Sequence, residues 1–226
     1  RMAAVAPARA RDDACQTYPL RTASYGDDGR TQRKGNHTQI KPQGYFTCAV
    51  FSFPICTDRK ENIQAFSLCC GQPVDALFLG GDILPSGLFF FSHRETGIPD
   101  FLERCFFSPL ESLKTELGAA FPEVFVILGN DDLRIYEQFF FHAEERGLLH
   151  YMHNRRFHWR GFSIFGYSCV PPTPFMLKDW ERYDISRYVD PHCTLESAGI
   201  RSVAISPQEL EHTTIAGDLA ALTGED

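Results

Sequence analysis

Two apolar runs in this chain end with the same punctuation: "FLGGD" at residues 78–82 and "ILGND" at 127–131, each closed by glycine and then by an oxygen-bearing side chain. Asp82, Asn130 and Asp131 are therefore the residues whose types and spacing allow chemistry. A carboxylate and a neutral amide oxygen are hard ligands, suited to Mn²⁺, Mg²⁺ or iron. An aspartate shared by two cations about 3.5 to 4 Å apart suits two-metal hydrolysis of a phosphate ester, in which the metals acidify a bound water and clamp the phosphoryl oxygens. The plainer reading is a pair of turns, since Asn tolerates positive φ and Asn130 or Asp131 can cap a following helix. Two such ends in register, about one strand-helix-strand unit apart, favour a site.

The elements that must position these residues follow from hydrophobic period. "YFTCAVFSF" (45–53) predicts a strand, and "DRKENIQAFSLCC" (58–70) predicts a helix, charged first and helically apolar after. The short continuous run in "DALFLGGD" (75–82) is the pattern of a strand covered on both faces in a parallel sheet. A helix is predicted over 99–118, with Pro99 in its first turn and Gly118 at its end. A strand over 123–128 and a helix over 132–146, stopped by Gly147, complete the alternation. Such an order implies crossover units and an α/β layered fold, with adjacent parallel strands about 4.8 Å apart, so that Asp82 and Asn130 reach one point in space. In that class, ligands bind beyond the carboxyl ends of the strands.

After Gly147 the rhythm changes. "HYMHNRRFHWRGFSIFGYS" alternates around Arg160-Gly161 and predicts an antiparallel hairpin, while "VPPTPF" (170–175) must be an extended loop because proline cannot donate to a ladder. Residues 178–226 predict no clear element.

Charge narrows the function classes. The chain carries a net charge of −7, but residues 1–44 hold eight Lys/Arg against four Asp/Glu, leaving 14 against 25, about −11, on the rest. An acidic body argues against non-specific nucleic-acid binding. The eight cysteines are scattered without a C-x-x-C pair, and no stretch approaches the ~18 apolar residues of a spanning helix. The expectation is a cytoplasmic protein with reduced thiols and no membrane partner. Residues 1–44 show neither helical nor strand period and are read as a disordered or unrelated segment; 45–226 form the folded part.

"GGD" after one strand and "GND" after the next resemble the second and third motifs of the calcineurin-like metallophosphoesterase superfamily, G-D-x-x-[DN] and G-N-[HD]-[DE]. "GYSCVPPTPFMLKDWERYD" (166–184) is similar to a segment of bacterial members, so the likeness runs over roughly 58–205. The resemblance implies a layered metallophosphoesterase-like β-sandwich flanked by helices, and two divalent metal ions (Mn, Fe, Zn or Mg). It also implies hydrolysis of a phosphate mono- or diester, of a small molecule or a nucleotide. It makes Asp82 the metal-bridging carboxylate and Asn130 a ligand of the second metal. Asp131 then stands where many relatives place a histidine that assists the leaving group.

The family's first motif, D-x-H, falls on "FPICTDRKE", with Pro54 at the aspartate and Cys56 at the histidine, and no G-H-x-H appears before Asp226. The expectation is thus a partial phosphoesterase domain, truncated at its C-terminal end. A degenerate relative acting as a binding or scaffold protein is the alternative. Among the remaining residues, His142, His150, His153 and His158 are read as packing or surface groups rather than a metal cluster, and "LFFFSH" (88–93) as core. Trp180, Arg182 and Tyr183 are candidates for contact with a phosphate or base.

Overall fold

The computed structural model describes residues 21–25, 46–51, 75–85 and 97–224. It is a mixed α/β structure. Its five-stranded sheet runs in the order β1 (Arg21–Tyr25), β2 (Phe46–Phe51), β3 (Ala76–Gly80), β4 (Glu123–Ile127) and β5 (His150–Tyr151). β1 lies antiparallel to β2, and the other pairings are parallel. The strand β1 falls inside the segment read from sequence as lacking any strand; the rest of 1–44, the helix predicted over 58–70, Pro54 and Cys56, and the run 88–93 lie outside the described residues.

The apolar runs of β3 and β4 are continuous because both faces of the sheet are covered. Leu77 pairs with Val124 and Leu79 with Val126, and these four point to the helical side, where Leu102, Phe106, Phe107, Leu110 and Phe140 bury them. The alternate residues Ala76, Phe78, Phe125 and Ile127 face the other way, against Met152 and a hairpin. Phe78 stacks on its register partner Phe125 at 5.1 Å. Each side chain of this kind, fully removed from water, contributes about 1.5–3 kcal/mol, so neither layer is dispensable.

The predicted 99–118 helix is a composite. An α-helical turn α1 (Gly97–Phe101) passes through a π-helical segment (Leu102–Phe107) into α2 (Ser108–Leu117), where Gly118 takes φ 53° and ends it. The wider turn puts consecutive Phe106 and Phe107 both inside, which an ideal 3.6-residue period does not favour. The helix predicted over 132–146 begins later, as a 3₁₀ turn (Arg134–Tyr136) followed by α3 (Glu137–Glu145); Gly147 stops it at φ 67°.

The hairpin stands where the sequence places it, β6 (Arg155–Trp159) against β7 (Phe162–Gly166). Arg160 (φ 49°) and Gly161 (φ 83°) both take positive φ, as a type I′ turn requires. Its Phe157, Trp159 and Ile164 form the layer over Phe125.

Residues 178–226, for which sequence period predicts nothing, hold two short helices, α4 (Pro207–His212) and α5 (Ile215–Thr223). Each has a capping hydroxyl: Ser206 accepts the Glu209 N–H at 3.0 Å and Thr214 the Gly217 N–H at 3.1 Å. Arg182 ties both helices down through Glu209 (2.7 Å) and Asp218 (3.4 Å). Among the described residues no helix is long and apolar enough to cross a membrane.

Candidate functional site

The turns after β3 and β4 touch backbone to backbone. Gly81 takes φ 103°, and a Cβ there would fall 2.6 Å from both N and Cα of Gly129. A Cβ on Gly129 would fall 2.3 Å from Asp82 Oδ1. Glycine is thus required on both sides by space, and at Gly81 by conformation as well. Asp82 follows at φ 54°, an uncommon left-handed residue that aims its carboxylate across the gap.

On the facing turn, Asp132 N–H donates to Gly129 O at 3.1 Å and closes a four-residue turn with Asn130 and Asp131 at its corner. Asp131 N–H donates to Asp82 Oδ1 at 3.3 Å. That N–H belongs to the peptide shared with Asn130, so Asp82 and the Asn130–Asp131 corner are neighbours. All three expected site residues are half-buried and gathered at one place. Neither Asn130 nor Asp131 caps the helix that follows: the N-cap position is Leu133 for its opening 3₁₀ turn and Tyr136 for α3.

Burial raises the Asp82 pKa above its ordinary value; the Asp131 N–H pulls it down and the Asp131 charge pushes it up again. A carboxylate held this way gains from a nearby cation, which offsets the cost of burying its charge.

Asp132, the last residue of "GNDD", to which the sequence assigns no role, is the best-connected residue here. It is fully buried. Its Oδ2 accepts Gly129 N–H at 2.7 Å and Ile83 N–H at 3.1 Å, and its Oδ1 accepts Leu84 N–H at 2.7 Å. Burial pushes its pKa up to about 7, the three N–H donors oppose that shift, and the Asp82 charge adds to it. Its carbonyl accepts the indole N–H of buried Trp180 at 2.8 Å. The available signal was the second of two adjacent carboxylates, too many for one turn corner, in "GNDD".

The segment after the prolines braces this turn from behind. Asp179 accepts Arg134 N–H at 2.8 Å and Ser202 N–H at 2.7 Å, while the Arg134 guanidinium lies over the Trp180 ring. Lys178 and Glu181 form a fully buried ion pair at 2.6 Å, and both hold Thr173. Trp180 and Arg182 are thus built into the packing: the indole is buried and the guanidinium is engaged by Glu209 and Asp218. Beside them a cavity of about 10 Å³ is lined by Arg134, Arg182, Arg201 and the carboxylates of Asp179, Glu181 and Glu209. That volume accommodates roughly one water, not a phosphate ester.

The histidines go to separate places. His142 is exposed, His150 pairs with Glu123 at 2.7 Å, and His158 meets Ser163 at 3.2 Å. His153, expected beside an exposed hairpin, is instead largely buried edge-on to Trp180, and its Nδ1 accepts Ser168 N–H at 3.1 Å. Burial, together with the Arg134 and Arg182 charges, lowers its pKa to about 4.

In ligand type, Asp82 and Asn130 fit a hard divalent cation, and Gly129 leaves the carboxylate room. Among the described residues, however, no group of three or more His, Cys, Asp and Glu is placed to hold a metal ion.

No family model matches the chain, and no curated protein sequence matches it. A solved crystal structure aligns with 53% of this chain at 21% identity and a TM-score of 0.34. The chain's match spans about half (51%) of that structure's length, and the likeness is too slight to support an argument about fold or function.

Proposed function

We propose that the strand ends form part of a divalent-cation site for phosphate-ester hydrolysis, in a metallophosphoesterase-like domain. The observation behind this reading is the convergence of Asp82 with the Asn130–Asp131 corner, held by glycines that nothing larger can replace. Two loops 49 residues apart meet through a half-buried carboxylate, an arrangement that costs charge desolvation unless something cationic arrives. Bound cations would acidify a water and neutralise phosphoryl charge. Asp82 and Asn130 are the ligands this chain offers, and Asp131 would carry a proton to a leaving oxygen. The substrate class is a phosphate mono- or diester, of a small molecule or a nucleotide.

The test is bound Mn²⁺ and turnover of a chromogenic phosphodiester, compared between the chain and Asp82→Ala. Stoichiometric metal, with turnover abolished by the substitution, is the expected result. The absence of both in the unmodified chain would leave the second reading, a non-catalytic binding protein of the same fold. The sequence favours that second reading at one point: Pro54 and Cys56 stand where the first motif of the superfamily has its aspartate and histidine.

A further inference from the structure

We propose that Asp132 is the positioning residue of the strand-end site, its buried carboxylate setting the separation of Asp82 and Asn130 by gripping the backbone on both loops. This inference rests on the reading of the site as a cation centre and adds a residue that is not itself a ligand. Each of its hydrogen bonds falls beside a ligand in sequence. Ile83 and Leu84 directly follow Asp82, and Gly129 directly precedes Asn130. One carboxylate thus binds the neighbours of both ligands, and any shift of one loop against the other must stretch or break a bond about 3 Å long in a dry environment.

The clasp is itself fixed. Trp180, wholly buried, holds the Asp132 carbonyl from the opposite side. Ile83 and Leu84 are sunk in the core. Only a carboxylate serves: all three partners are N–H donors, so an amide at this position turns its NH₂ towards at least one of them. A glutamate is one methylene too long for a residue with no exposure. Groups that orient metal ligands without binding the metal characteristically change affinity by roughly 10- to 100-fold when removed.

The experiment uses the full chain, its D132N and W180F variants, and Mn²⁺ alone as the probe, with amide exchange read at Ile83, Leu84 and Gly129. D132N is expected to weaken Mn²⁺ binding by roughly 10- to 100-fold and to speed exchange at those three amides, while the β4 amides keep their protection. A merely structural role would lower the unfolding midpoint and leave the affinity of the folded molecules unchanged; that result overturns the proposal. If the unmodified chain takes up no Mn²⁺, the cation reading fails by itself and the amides decide the clasp: faster exchange in D132N supports it, unchanged exchange overturns it. If D132N does not fold, W180F, which takes the indole N–H from Asp132 together with part of a buried ring, is read the same way on the folded molecules. Loss of about threefold or more in affinity or faster exchange at the three amides supports the clasp, and no change in either overturns it.

Discussion

The Asp132 carboxylate accepts the N–H of Leu84 at 2.7 Å across 48 residues of chain, joining the turn after one parallel strand to the turn after the next. Together with the Ile83 and Gly129 bonds it makes the two strand ends one mechanical unit. Removing the charge while keeping the shape is the direct probe of this unit. Asp132→Asn turns an NH₂ against a buried N–H donor, and above pH 7, where the carboxyl is ionised, a loss of roughly 2 to 4 kcal/mol is expected. Urea unfolding measures it; a change below about 0.5 kcal/mol, the range of ordinary surface substitutions, would contradict the hydrogen-bond network.

Two glycine substitutions separate space from conformation. At Gly129 an added Cβ meets the backbone N of Asp82 at 2.5 Å and its Oδ1 at 2.3 Å, so Gly129→Ala is expected to destabilise by roughly 2 to 4 kcal/mol. At Gly118 the added Cβ meets nothing within 4 Å, and only the backbone conformation (φ 53°, ψ −119°) opposes it, so Gly118→Ala is expected to cost roughly 1 to 2 kcal/mol, less than the substitution at Gly129. Thermal or urea denaturation of the pair checks the order, and equal effects would refute it.

Histidine 153 makes stability fall in acid. Its folded pKa, near 4, lies below the ordinary 6.5, so its contribution is full above pH 6.5 and is lost as pH falls through 4. The whole contribution is up to about 3 kcal/mol. Proton NMR of the ring is the check; a midpoint near 6.5 would show that the ring is not held neutral by its surroundings.

Asp132 acts with the opposite sign. Its folded pKa is raised to about 7, so its contribution is present below the ordinary 3.8 and is lost as pH rises through about 7. Between pH 4 and 6.5 the two groups oppose one another. Replacing Asp132 with Asn is therefore expected to steepen the acid loss of stability, and a variant lacking His153 to flatten or reverse it, both read from urea midpoints at pH 5 and 7.

The buried Lys178–Glu181 pair stabilises only as a pair. Lys178→Met leaves Glu181 charged and dry, at an expected cost of roughly 3 to 5 kcal/mol. Adding Glu181→Gln, which removes that charge and keeps an acceptor for the Thr173 N–H, is expected to recover at least about 1 kcal/mol of it. A double variant no more stable than the single one would contradict this account.

What the sequence by itself determined is what short-range sterics and period control. The two-sided apolar runs of β3 and β4, the helix stops at Gly118 and Gly147, the Arg160-Gly161 turn and the glycine-bearing strand ends are all visible in a few neighbouring residues. Each depends on φ preferences or on alternation along one segment. Only the tertiary structure decided that Asp132 rather than Asn130 or Asp131 takes the backbone amides, that His153 is largely buried, and that Arg182 is engaged by α4 and α5. It also decided that β1 pairs with β2. Those outcomes depend on partners up to 49 residues away, and no local pattern records which N–H groups will be left unpaired when two loops meet. Asp131 and Asp132 are chemically identical and adjacent; one stands at the corner of its turn and the other is buried beneath it because the Asp82 loop lies on one side and Trp180 on the other.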